Sequence, residues 1–153
     1  MAGYVYKGSP VVHTGIVASG QTVKGGQFVT LTATDGTIAP AAKDAADTGV
    51  YLVVDVRRED NLPGDDATYA APAGAMVSMV KLLPGMEANI PTTTGKSAAV
   101  GTAVGIGANG DVDAAATVKN YIVVGKDPYL GLDAVQIRRL EVQPAAASGG
   151  GGD

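Results

Sequence analysis

The sequence predicts an all-β fold: a small sandwich or barrel of short antiparallel strands with extended N- and C-terminal arms. Three observations predict it. The apolar segments are short and rich in Val, Ile, Thr and Tyr. They are interrupted at close intervals by turn formers, 22 Gly and 8 Pro in 153 residues, which is the pattern of strands joined by turns. No window of useful length carries apolar residues at helical spacing.

Taken in order, Tyr4 to Lys7 reads as an edge strand within an N-terminal arm, residues 1–10. A β body, 11–143, follows. Val11 to Val17 reads as a strand broken near Gly15. Gly25-Gly26 turns the chain into a strand with Phe28, Thr30 and Thr32 on one face and Val29 and Leu31 on the other. Asp35-Gly36 is a hairpin signal, with a return strand from Thr37. Pro40 to Asp47 is the one place where a helical turn fits. Val50 to Val56 is nearly continuous in apolar residues, so it is expected to be central and covered on both faces. The charged stretch 57–66, with Pro63-Gly64, reads as a loop. Further strands are expected at Ala75 to Leu83, Met86 to Ile90, Ala99 to Ile106, Val118 to Val124 and Asp133 to Val142. The tail, 144–153, has a flexible Gly/Ala-rich composition. Residues 23–56 and 100–124 both run strand, Asx-Gly turn, strong apolar strand; in a chain so rich in Gly, Ala and Val, chance is the simpler account.

Composition narrows the function. There is no Cys, so thiolate chemistry and disulfides are excluded. The 11 Lys and Arg are scattered and the net charge is -4, which opposes general nucleic-acid binding. No apolar run reaches the roughly 18 residues that span a bilayer. The N-terminus lacks the basic and apolar regions of a signal peptide, so no membrane association is expected. Aromatic content is 5%, with no Trp and a single Phe, which leaves little to line a small-molecule pocket.

The motifs that look chemical have plainer readings. Gly105-Ile-Gly107-Ala-Asn-Gly110 matches a dinucleotide fingerprint by letter, but Asp111 and Asp113 follow where a helix N-terminus should receive phosphate. It reads as a hairpin. Gly95-Lys96-Ser97 lacks the upstream Gly of a phosphate loop, Ile90 standing there instead. His13, the one histidine, reads as a strand residue. Asp60, Asp65, Asp66, Asp111 and Asp113 do not follow a calcium-loop spacing. No cofactor or metal is expected. Tyr51 and Tyr121 read as core or interface residues, and Met76, Met79 and Met86 as gap fillers or contact residues.

Two segments carry a resemblance. Val23-Lys-Gly-Gly-Gln-Phe-Val-Thr-Leu31 is similar to a recurring strand opening of bacteriophage capsid decoration (cement) proteins. Gly101-Thr-Ala-Val-Gly-Ile-Gly-Ala-Asn-Gly-Asp-Val112 resembles the Gly-rich strand pair in their later part. The resemblance covers residues 8–142 in style. It implies a non-enzymatic virion protein on the outer capsid surface, made in the host cytoplasm. Its implied partners are the major capsid protein and other copies of itself, as homotrimers or as dimers. Beside that expectation, the interface candidates are Tyr4 and Tyr6, as interface-favouring aromatics, and Arg57, Arg58, Arg138 and Arg139, as contacts to acidic partner surfaces. The alternatives are another virion part (tail, fibre or adaptor protein), a host-surface binding module, or a hydrolase using a loop carboxylate such as Asp65 or Asp66.

Overall fold

The computed structural model describes residues 5–45, 49–56, 69–128 and 132–141. Tyr4, Arg57, Arg58, Asp60, Asp65, Asp66 and the tail lie outside the described residues. The fold is all-β. The strands are β1 (Val5–Lys7), β2 (Val12–Val17), β3 (Phe28–Leu31), β4 (Thr37–Pro40), β5 (Val50–Val56), β6 (Met76–Val80), β7 (Glu87–Pro91), β8 (Ala103–Ile106), β9 (Val112–Asp113), β10 (Tyr121–Gly125) and β11 (Ala134–Arg139).

β2, β4, β3, β5 and β6 close into a barrel. The wall departs from the expected antiparallel pattern at one seam, where Ile16 and Val17 of β2 lie parallel to Thr37 and Ile38 of β4. The long 18–27 connection after β2 frees it from the antiparallel sense that a hairpin imposes. β2 also runs unbroken through Gly15. A Cβ there would lie 3.0 Å from Ile38 Cγ2, so the glycine admits Ile38 to the core rather than ending the strand. Pro40 closes β4, and residues 41–45 turn through Asp44 at φ 59° instead of forming the expected helical turn; 46–48 lie outside the described residues.

Strand alternation sorts the barrel's apolar residues into two sets. Val17, Val29, Ile38, Val53, Val77 and Met79 fill its interior. Phe28, Val50, Leu52 and Val80 point outward and are buried in a second cluster with Val104, Tyr121, Val123, Val135 and Ile137. β5, the strand expected to be central, contributes to both clusters.

The remaining strands form a sheet in the order β1-β7-β11-β10-β8-β9. Apart from β1, it repeats the barrel strand for strand. β5 places Val53 opposite Met79 and, across a bulge, Asp55 opposite Ser78. β10 places Val123 opposite Ile137 and, across a bulge, Gly125 opposite Gln136. Phe28–Leu52 and Val29–Tyr51 correspond to Ala103–Ile122 and Val104–Tyr121. Gly26 donates its N–H to Val53 O at 2.8 Å, and Gly101 donates to Val123 O at 2.7 Å. The hairpin pair Leu31–Ile38 matches Ile106–Val112. Residues 12–31 thus stand in register with 87–106. The likeness between 23–56 and 100–124 is therefore one of strand order and register, beyond what a shared Gly, Ala and Val composition accounts for.

The second unit is not closed by backbone pairing, and Pro91 accounts for one of the bonds it lacks. Ile16 donates to Gly36 O at 3.0 Å across the barrel seam. Pro91 occupies the same place in β7 and has no N–H to give. Asp111 bridges instead. Its carboxylate accepts from Thr92 Oγ1 at 2.6 Å, Thr94 N at 2.8 Å and Thr93 N at 3.1 Å, as well as from Val112 N at 2.8 Å.

Candidate functional site

The two units meet asymmetrically. The outer face of the barrel covers the interior side of the second unit. The Phe28 ring packs on Tyr121 with centroids 5.3 Å apart. Gly110 N donates to Ala41 O at 2.8 Å, and Asp44 N to Ile106 O at 3.0 Å. The Asp44 carboxylate accepts from Thr117 N at 2.7 Å and Val118 N at 3.2 Å. Hydrogen bonds from Val118, then Thr117, hold its carboxyl below the ordinary value. Because those amides face Asp44, β10 begins at Tyr121 and not at the expected Val118.

A cleft of about 730 Å³ opens at this junction, between Lys24–Gln27 on one side and Thr92–Thr94 and Asn109–Asp111 on the other. Gln27 Nε2 spans it to Asn109 O at 2.7 Å. Of its two carboxylates, Asp111 already accepts four hydrogen bonds, and Asp133 lies 3.7 Å from Lys96 with both side chains exposed. The amides at Thr93 and Thr94, which would have to cradle a phosphate ahead of Gly95-Lys96-Ser97, are given to Asp111. The Gly105–Gly110 stretch runs from a strand into a hairpin, with Asn109 at φ 56° and Gly110 at φ 68°, and β9 rather than a helix follows.

His13 lies exposed on β2 with its ring 5.5 Å from that of Tyr51, edge-on. Among the described residues no three or more His, Asp or Glu gather as metal ligands. Asp113, near Asp111 in sequence, is turned to Ala115 N at 2.8 Å.

Of the sequence-predicted interface residues, Tyr6 and Arg138 are brought together, at Glu87. Arg138 Nε donates to Glu87 Oε2 at 2.6 Å, and Lys7 Nζ lies 3.6 Å from the same oxygen. These bonds, first Arg138 and then the Tyr6 hydroxyl and the Lys7 charge, hold the Glu87 carboxyl below its ordinary value. The cluster fastens β1 to β7 and β7 to β11. The expectation for Arg139 is corrected: it is 2% exposed and cannot reach a partner. Its guanidinium lies 5.5 Å over the Tyr121 ring, and Nη1 donates to Asn120 O at 3.0 Å and Leu140 O at 2.8 Å. Period-two alternation already places it on the inner face with Val135 and Ile137. Tyr4, Arg57 and Arg58 lie outside the described residues.

The surface that sequence reasoning missed is the outer wall of the barrel. Gly15 and Val17 turn inward along β2, so Val12, Thr14 and Ile16 turn outward. Ile16 stands opposite Met76, and both are exposed. Val12 lies on the same face beyond the Thr14–Ser78 pair, 62% exposed, and Val11, just before β2, is 70% exposed. Met79 fills the barrel core, while Met76 lies on this outer face. Val-Val-His-Thr-Gly-Ile-Val alternates well enough for a strand, but its outward positions are as apolar as its inward ones, and that was the available signal.

Compared with known proteins, the sequence matches no family model and no curated protein.

Proposed function

We propose that this protein is a non-enzymatic structural component that binds other protein surfaces, and that its partner is a bacteriophage major capsid protein, whose outer lattice it decorates and cements. The observation that carries the reading is the set of exposed apolar residues on a closed barrel wall, Ile16 opposite Met76 and, beyond the Thr14–Ser78 pair, Val12. Exposed apolar side chains on a rigid wall gain free energy when a partner surface covers them. Next to these residues, β2 at Val12–His13 is paired with β6 but, among the described residues, has no second neighbour. An open strand edge offers main-chain pairing to a partner. The sequence resemblance supplies the identity of the partner, and the outward-facing methionine suits a surface that must adapt to a lattice.

The test is co-sedimentation with mature capsid shells of the virus carrying this gene. The wild type should pellet with shells at a fixed ratio to capsid subunits and raise the temperature at which they come apart, since a ligand bound only to the assembled state stabilises it. Ile16→Glu and Met76→Glu, which add charge to exposed positions, should fold normally and lose binding. A wild type that stays in the supernatant at micromolar concentration, or variants that bind as well as it does, would defeat the proposal.

A further inference from the structure

The repeat gives the chain two copies of one socket, of which, among the described residues, only one is covered by the other unit. In the second unit the socket is Tyr121, Ile106, Ala88 and Arg139, and the outer face of the first unit sits in it through Phe28. Register places Tyr51, Leu31, His13 and Lys81 at the same positions in the first unit. The two sockets also share a local device: Lys81 Nζ lies 5.6 Å from the Tyr51 ring as the Arg139 guanidinium lies 5.5 Å from Tyr121. Burial separates them. Ile106 is 5% exposed and Leu31 53%. Ala88 is buried and His13 exposed, and Tyr121 is buried where Tyr51 is half-buried. β1 lies against β7 at Glu87 and Ala88, while Val12 and His13 have no strand there among the described residues.

The complementary face is duplicated as well. Phe28, Leu52 and Val80 of the first unit, which do the covering, correspond to Ala103, Ile122 and Arg138 of the second. Ala103 and Ile122 stand opposite each other and remain half-exposed, pointing away from the core that Val104 and Tyr121 enter.

We propose that the first unit's socket, exposed at Leu31 and His13, receives a second copy of this chain, which presents Ala103 and Ile122 to Leu31 and Tyr51 by repeating the contact that joins the two units inside one chain. Socket and face are different surfaces, so the contact is heterologous, and each copy can both give and receive it. Such contacts close into rings or extend into chains. The inference rests on register and burial alone, independently of any capsid partner, and it uses residues other than the barrel strip.

Sedimentation velocity on the full chain tests it, with three variants: Leu31→Glu in the socket, Ile122→Glu on the face, and Ala103→Glu as a face substitution that removes less packing. Circular dichroism and thermal scans confirm that each variant is folded. The wild type should associate as its concentration rises. Each variant alone should be monomeric at concentrations where the wild type is assembled, a loss of at least tenfold in association. Mixing the socket variant with a face variant should restore a one-to-one complex, because one intact socket then meets one intact face. A wild type that stays monomeric overturns the proposal. So does a face variant that assembles like the wild type, which would point to socket meeting socket, and so does a mixture that stays monomeric.

Discussion

Gly36 and Gly110 occupy the same hairpin position in the two units, and they allow the joint between those units to be weighed. Both have a left-handed backbone, with φ at 75° and 68°. A side chain at either position costs about 1–2 kcal/mol, because Cβ crowds the following carbonyl. Around Gly36 a Cβ meets nothing within 4 Å, so Gly36→Ala is expected to cost that amount and no more. At Gly110 the Cβ would fall 2.0 Å from the carbonyl oxygen of Phe28, a backbone atom held by the barrel. Relief requires the units to separate locally, and overpacking of this kind adds about 1–3 kcal/mol. Gly110→Ala is therefore expected to cost about 2–5 kcal/mol, the sum of the two effects. Urea unfolding followed by far-ultraviolet circular dichroism measures both variants against the wild type. The difference between them isolates the joint, since the conformational penalty is common to both. Equal losses in the two variants would show that Phe28 does not press on this turn, and the described packing of barrel on sheet would be wrong.

Three further outcomes are expected. Asp111→Ala should cost about 1.5–3 kcal/mol, as hydrogen bonds to a charged acceptor are lost, and Asp111→Asn should recover part of it, both read from the urea midpoint. The Glu87 carboxyl is depressed in the fold, so the folded state binds its proton less readily than the unfolded state. Its stabilisation is complete above the ordinary value of 4.5 and is lost as pH falls through the lower folded value. Glu87→Gln should flatten that acid limb in thermal melts run from neutral pH to pH 2.5 or so, and an unchanged limb would contradict the Arg138–Glu87 pairing. Phe28→Ala should cost about 3–5 kcal/mol and make the tyrosine signal and the backbone signal unfold at separate denaturant concentrations, because Phe28 joins the two clusters at Tyr121.

What the sequence made legible, and what it hid, follows from which interactions are local. β5 could be read from Val50 to Val56 because a strand covered on both faces shows an unbroken apolar run. The hairpins at Asp35-Gly36 and Asn109-Gly110 could be read because a positive φ selects a few residue types. The repeat was obscured because register and bulge belong to the backbone, and the side chains at matched positions have diverged: Phe28 against Ala103, Val80 against Arg138, Asp55 against Gly125. The open seam of the second unit involves a missing N–H at Pro91 and the Thr93 N–H given to Asp111, and nothing in Pro91 itself says which bond is lost. Arg139 was misplaced because an Arg-Arg pair looks like surface. The alternation of Val135, Ile137 and Arg139 contradicts that, and the carbonyls of Asn120 and Leu140 help make such burial tolerable. Among the interface candidates, Tyr6 was recognised as an aromatic, but its link to Glu87 depends on β1 crossing to the far sheet.

The divergence between the two units has a direction that bears on how the protein works. Where the socket is filled within the chain, its residues are those of a core: Ala88, Ile106, Tyr121 and an arginine held by carbonyls. At the matched positions of the first unit stand His13, Leu31, Tyr51 and Lys81, which keep the apolar floor and the cation over the ring but exchange Ala for a side chain that tolerates water. A surface intended only for solvent has no reason to keep Leu31 half in water. A permanent core has no use for His13. The combination fits a site that is wet in the free chain and covered in an assembly. The same is true of the strip along β2 and β6, where Ile16 and Met76 face outward from a barrel whose interior is already complete. Both surfaces belong to the rigid barrel, so little conformational freedom remains to be lost when they are covered.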